Sequence, residues 1–195
     1  MGEQLSVEEL GKKYQASKTP IRDALHLLQA EGLVEVIPRV GYFTTRCTVK
    51  EIQDLFEIRI VLEAAGARLA ARRITDYELA YLSSLSATYA PGDPSTYMDW
   101  IRYNHEFHCK IAAASRNDEL GQAISHVIDR LQRVQWLRLE LPPTPEGARE
   151  LHRHIVEALK KADPSLAEQA MVVDITASRD AAMRRVLERP DEWPM

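Results

Sequence analysis

From Thr48 to Glu188 the chain repeats apolar residues every three or four positions, a period that fits the α-helix and no other regular structure. Ile52, Leu55, Phe56, Ile58, Leu62, Ala65 and Leu69 mark a first long helix, expected over 49–73. Breaks at Ala90-Pro91-Gly92-Asp93 and Leu141-Pro142-Pro143-Thr144-Pro145 divide the remainder of this stretch. Further helices are expected near 76–88, 94–115, 117–139, 146–162 and 165–188, which together make an antiparallel bundle of six.

The first 46 residues have another pattern. Ser6-Val7-Glu8-Glu9 is a capping signature that opens a short helix ending near Tyr14. Gln15 and Ala16 make a tight connection, Ser17 caps a second helix, and Pro20 falls in its first turn, where a missing N–H costs little. Ile21, Leu25, Leu27 and Leu28 supply the apolar face of that helix, and Gly32 stops it. Leu33–Ile37, a turn at Pro38-Arg39-Val40-Gly41, and Tyr42–Thr45 read as a β-hairpin. The expected fold class is therefore mainly α. A winged helix-turn-helix of two helices plus a β-hairpin occupies 1–46, and the antiparallel six-helix bundle occupies 47–195. A unit as small as the first needs something else to complete its core.

Composition narrows the function. A net charge of −4 argues mildly against a dedicated nucleic-acid binder, yet up to Arg46 six bases balance six acids, so the acidic excess lies downstream. Cys47 and Cys109 are too few for a disulfide framework and lack CxxC spacing, which reads as free thiols in a reducing compartment. The N-terminus has neither a basic nor an apolar targeting region, and apolar stretches are short, so the expectation is a cytoplasmic protein with no membrane partner.

In a helix-turn-helix the second helix enters the major groove N-terminus first, so short hydroxyls and bases belong at its start. Ser17, Lys18, Thr19 and Arg22 fit that role, and Arg39 beside Gly41 at the hairpin tip is placed to reach the backbone or minor groove. Taken one at a time, Lys18, Arg22 and Arg39 read equally as solvated surface charges. Together the strings Leu5-Ser6-Val7-Glu8-Glu9-Leu10, Ser17-Lys18-Thr19-Pro20-Ile21-Arg22-Asp23-Ala24-Leu25 and Leu28-Gln29-Ala30-Glu31-Gly32-Leu33-Val34 closely resemble the DNA-binding domain of the GntR family. The hairpin Pro38-Arg39-Val40-Gly41-Tyr42-Phe43 continues the match. Family proteins usually carry Arg where Lys18 stands, and Lys is the less base-selective contact. The family also has a helix before its Pro-Gly-x-x-Leu motif, whereas this chain begins inside that motif; the first helix is expected to be missing, through true loss or a misplaced start codon.

Residues 48–188 resemble the FCD domain, the helical effector-binding part of the FadR-like branch, through Ile52-Gln53-Asp54-Leu55-Phe56-Glu57-Ile58-Arg59 with Leu62-Glu63. Six helices place it with the shorter, VanR-like members. The resemblance implies a metal site that falls here on Asn104, His108, His152 and Asp174. Asn104 stands where the family has a carboxylate and Asp174 where it has an imidazole, which leaves the formal charge of the set unchanged. Such a set suits Zn²⁺, Ni²⁺ or Mn²⁺. Helical periodicity points these residues inward: His108 shares a face with Ile101 and Ile111, His152 with Ile155 and Leu159, and Asp174 with several alanines. The alternative is a metal-free pocket in which Asp174 pairs with an internal Arg or a His.

The resemblance also implies a small organic acid as effector, which needs a cationic or metal partner. Arg59, Arg102, Arg133 and Arg138 are candidates; Arg59 lies on an apolar face, where it reads equally as the i+4 partner of Glu63. The leading expectation is a ligand-responsive transcription regulator that binds palindromic double-stranded operator DNA as a homodimer. The alternatives are a metal-dependent hydrolytic enzyme using the His/Asp cluster, and a helical dimer that has lost DNA binding.

Overall fold

The computed structural model describes residues 2–45, 48–85, 94–136 and 145–188, and of residues 94, 95, 133–136, 145, 146 and 185 the backbone only. The chain divides into two compact units, with the boundary in the sequence between Thr48 and Val49.

The first unit contains β1 (Gln4–Leu5), α1 (Val7–Tyr14), α2 (Lys18–Ala30), β2 (Val34–Ile37) and β3 (Gly41–Thr44). Ser6 caps α1 by accepting from the Glu9 amide at 3.2 Å, and Gln15 closes it in the left-handed conformation. Ser17 precedes α2 in extended conformation but makes no side-chain capping bond, contrary to the sequence expectation. Ile21, Leu25 and Val34 are the buried centre, with Leu5, Val7, Leu10, Ala16 and Tyr42 packed around them.

Two sequence expectations need correction. Leu27 does not serve the apolar face of α2: it is 68% exposed, and Leu28 is 36% exposed, because the buried stripe runs through Ile21 and Leu25 alone. The hairpin is also not a free pair of strands. β1 joins it, with Gln4 opposite Phe43 and Leu5 opposite Tyr42, giving an antiparallel sheet in the order β1-β3-β2. Two residues are too few for an alternation signal, so sequence reasoning passed over β1.

The second unit holds α3 (Val49–Ala70), α4 (Asp76–Ser84), α5 (Pro94–Ala114), α6 (Asp118–Trp136), α7 (Pro145–Lys160) and α8 (Pro164–Glu188). α4 ends at Ser84, with Leu85 already extended, so it stops short of the expected 88; the expected tail of α6 to 139 runs beyond the described residues. α3 is the central helix, packed on α8, α6 and α5, while α7 packs on α8 and α4. Gly66, Ala67 and Ala70 are buried on its C-terminal half, and a Cβ on Gly66 would meet Ile124 Cδ1 of α6 at 3.1 Å. Small residues there let two backbones approach. Ile52, Ile101, Phe107, Ile111, Ile124, Ile155, Leu159, Met171 and Ile175 fill the interior. Among the described residues no helix is long and apolar enough to cross a membrane.

Candidate functional site

The bundle core buries polar groups that an apolar interior does not tolerate singly. Arg59, Glu63, His108, His152 and Asp174 are each 2% exposed or less. Arg59 and Glu63 come from α3, His108 from α5, His152 from α7 and Asp174 from α8, so four helices converge on one locus.

The contacts form a chain. Arg59 Nε donates to Glu63 Oε1. The other oxygen, Glu63 Oε2, lies 2.6 Å from His108 Nδ1 in a bent contact. His108 Nε2 faces Asp174 Oδ2 at 3.4 Å, and His152 Nε2 faces Asp174 Oδ1 at 3.6 Å. On its far side, His152 Nδ1 is 2.8 Å from the Tyr103 hydroxyl. The His152 ring stacks on Phe107, with centroids 4.0 Å apart and planes 7° from parallel. That stacking fixes the plane in which its Nε2 can point.

Burial sets the charge states. Desolvation, then repulsion from His108 and Arg59, holds His152 well below the usual imidazole range, leaving it in the neutral form that ligates metals. Burial pushes the Asp174 carboxyl up, against the pull of His108 and Arg59. For Glu63 burial acts in the same upward sense, but Arg59 and His108 outweigh it and hold the group down to about 2.

The donor set fits a metal ion on observations of this structure. Ligand atoms of His108, His152 and Asp174 lie within 4.8 Å of one another. Among the described residues His152 Nε2 and Asp174 Oδ2 are buried without a hydrogen-bond partner, which is where a cation would satisfy both. Two imidazoles and one carboxylate with further positions open suit divalent first-row metals. Asn104 sits one turn before His108 on α5 and is half-buried.

Other candidates fall elsewhere. Arg102 is exposed and pairs with Asp99 at 3.0 Å, so its position on the outer face of α5 corrects its candidacy as an internal anchor. The side chain of Arg133 and the whole of Arg138 lie outside the described residues. Arg59 pairs with Glu63, as the i+4 reading expected, and among the described residues its terminal nitrogen Nη2 is buried without a hydrogen-bond partner. Sequence reasoning missed Glu63 and Tyr103 as parts of the site. A charged pair on the apolar face of α3 was the signal for Glu63; Tyr103, an aromatic in a helix, gave none.

In the first unit Ser17, Lys18, Thr19 and Arg22 are exposed at the start of α2. Arg39 is exposed at the hairpin tip with a φ of 65°, and Val40 N donates to Ile37 O at 3.0 Å to close the turn around it. Gly41, at φ 143°, comes directly after, and a Cβ there would press on Gln4 Nε2 at 3.2 Å.

Comparison with known proteins agrees with both halves. Residues 1–44 match the family of bacterial regulatory proteins described as gntR, and residues 54–177 match the FCD domain. The Nta operon transcriptional regulator of Aminobacter aminovorans is 28% identical over 81% of this chain and 74% of its own. The HTH-type transcriptional repressor RspR of Escherichia coli is 23% identical over 98% of this chain and 84% of its own. The solved structure of E. coli McbR/YncC has the same fold, with a TM-score of 0.76 at 20% identity over 94% of this chain and 88% of that one.

The gntR match over 1–44, the FCD match over 54–177 and relatives that are transcription regulators define a DNA-binding regulator with an effector-binding domain, not an enzyme. The chain belongs to the GntR family of bacterial regulatory proteins, and its helical part is an FCD domain.

Proposed function

We propose that this regulator senses a small organic acid through a divalent metal held by His108, His152 and Asp174, with Asn104 as a further oxygen donor, and answers by altering its grip on operator DNA. One observation carries the reading: His152 Nε2 and Asp174 Oδ2 converge in the interior, and neither makes a hydrogen bond among the described residues. A bound Zn²⁺, Ni²⁺ or Mn²⁺ would supply open coordination positions for a chelating carboxylate. The buried, unpartnered Arg59 Nη2 supports a carboxylate as the effector class, since an anion gains most from a desolvated guanidinium.

DNA reading is assigned to the domain over 1–46 and effector binding with dimerisation to 47–195. Ser17, Lys18, Thr19 and Arg22 enter the major groove, and Arg39 on the wing reaches phosphate or minor groove with Gly41 shaping the tip. The place of Arg39 at the exposed tip of the turn, between β2 and β3, supports that role. A homodimer on a palindromic operator accords with the way helix-turn-helix proteins match two half-sites, and operator binding places the protein in the cytoplasm.

The test is elemental analysis of protein purified without chelator or histidine tag. Wild type should hold close to one equivalent of metal, and His108→Ala with His152→Ala should hold none. Wild-type protein without metal, and without affinity for Zn²⁺, Ni²⁺ or Mn²⁺ in titration, would sink the metal reading and leave Arg59 as the centre of a metal-free pocket.

A further inference from the structure

We infer that Glu63 and Tyr103 are positioning residues of this site: each holds one imidazole by Nδ1, so that both histidines turn Nε2 toward Asp174. The inference deepens the metal reading, on which its affinity arm rests.

A histidine offers either ring nitrogen, and the partner of one decides what the other can do. Glu63 Oε2 lies 2.6 Å from His108 Nδ1. At that distance an oxygen and a bare ring nitrogen repel, so a hydrogen on Nδ1 is what lets the two approach, and Nε2 is the atom left for a ligand. Arg59, donating to Glu63 Oε1 from one turn earlier on α3, fixes the rotation of that carboxylate. Tyr103 and His152 repeat the arrangement with a hydroxyl, 2.8 Å from Nδ1. A phenol both donates and accepts, so it satisfies His152 whichever nitrogen bears the hydrogen. It can donate to a bare Nδ1 while Nε2–H faces Asp174, and accept from Nδ1–H once Nε2 is a ligand.

The two supports therefore differ. His108 is held in one form, while His152 can exchange its tautomer without moving its ring, which Phe107 keeps stacked. Both supports are buried, Tyr103 at 7% exposure and Glu63 at 2%, so bulk solvent does not reach either contact. Neither belongs to the metal-ligating set, and a purely structural hydroxyl or carboxylate would not be expected to face the imidazole nitrogen opposite the site in both cases.

The experiment uses the full chain and Zn²⁺ as probe. Affinity is measured by competition with a chromogenic chelator for wild type, Tyr103→Phe and Glu63→Gln, with melting temperature recorded for each, and imidazole nitrogen NMR is run on metal-free protein. Tyr103→Phe removes one oxygen and should weaken Zn²⁺ binding by about 10- to 100-fold, the usual range for a lost partner of a ligand. Metal-free wild type should show His108 with a hydrogen on Nδ1, and Tyr103→Phe should shift the His152 nitrogen signals while those of His108 stay in place. Affinities of both folded variants within about twofold of wild type, or a bare His108 Nδ1, would overturn the inference. If wild type binds none of Zn²⁺, Ni²⁺ and Mn²⁺ but the nitrogen signals behave as stated, the metal reading fails and the positioning roles stand.

Discussion

Arg59 and Glu63 are the residues on which the interior is most exposed to damage. The pair is fully buried, so each charge depends on the other for its solvation. Removing one partner of such a pair typically costs about 3–5 kcal/mol, because the survivor is left charged in a medium that cannot solvate it. Arg59→Met should lower the stability by about that amount in urea unfolding; a loss below about 1 kcal/mol would mean that His108 alone compensates Glu63. Glu78 shows the contrasting surface case. Arg116 hydrogen-bonds it at 2.7 and 2.8 Å, the Thr75 amide adds a third bond, and the carboxyl sits down at about 2. A depressed carboxyl stabilises the fold above its unfolded value of 4.5 and loses that contribution as pH falls from there to about 2. Glu78→Gln should flatten the acid side of the stability profile in that window, read as the urea midpoint against pH, and an unchanged slope would show the pair to be screened in solution.

The elements of the bundle owe their ends to local chemistry and their placement to packing. α4 opens on a full capping box: Thr75 Oγ1 accepts from the Glu78 amide at 3.3 Å while the Glu78 carboxylate accepts from the Thr75 amide at 2.9 Å. Only nine residues long, α4 has one fully buried residue, Leu82, and leans on that cap. Thr75→Ala should cost about 1 kcal/mol by chemical denaturation, and Thr75→Asp should restore most of it. α3 depends on the opposite device. Its long run of apolar and small residues makes it the helix that others surround, and that centrality brings Arg59 and Glu63 against His108 of α5.

At the scale of the whole molecule, DNA binding must come from a chain of net charge −4, so where the bases of the first 46 residues stand, equal there in number to the acids, matters more than the total. Lys18→Ala and Arg22→Ala should each reduce the slope of log K against log salt by about 1 in operator titrations if they neutralise phosphates. A slope unchanged in both would return these residues to the solvated surface. Much of the fold was legible in the sequence, for a physical reason: helix periodicity, caps and Pro/Gly breaks are local, and they placed α1 to α8 and the wing to within a few residues. The inward faces of His108, His152 and Asp174 came from the same periodicity. The tertiary structure alone decided the rest. It turned Leu27 and Arg102 outward, added β1 to the wing, and set Glu63 and Tyr103 behind the two histidines. Periodicity gives the face on which a side chain lies, but which ring nitrogen meets which oxygen depends on how four helices, distant in sequence, pack their surfaces together.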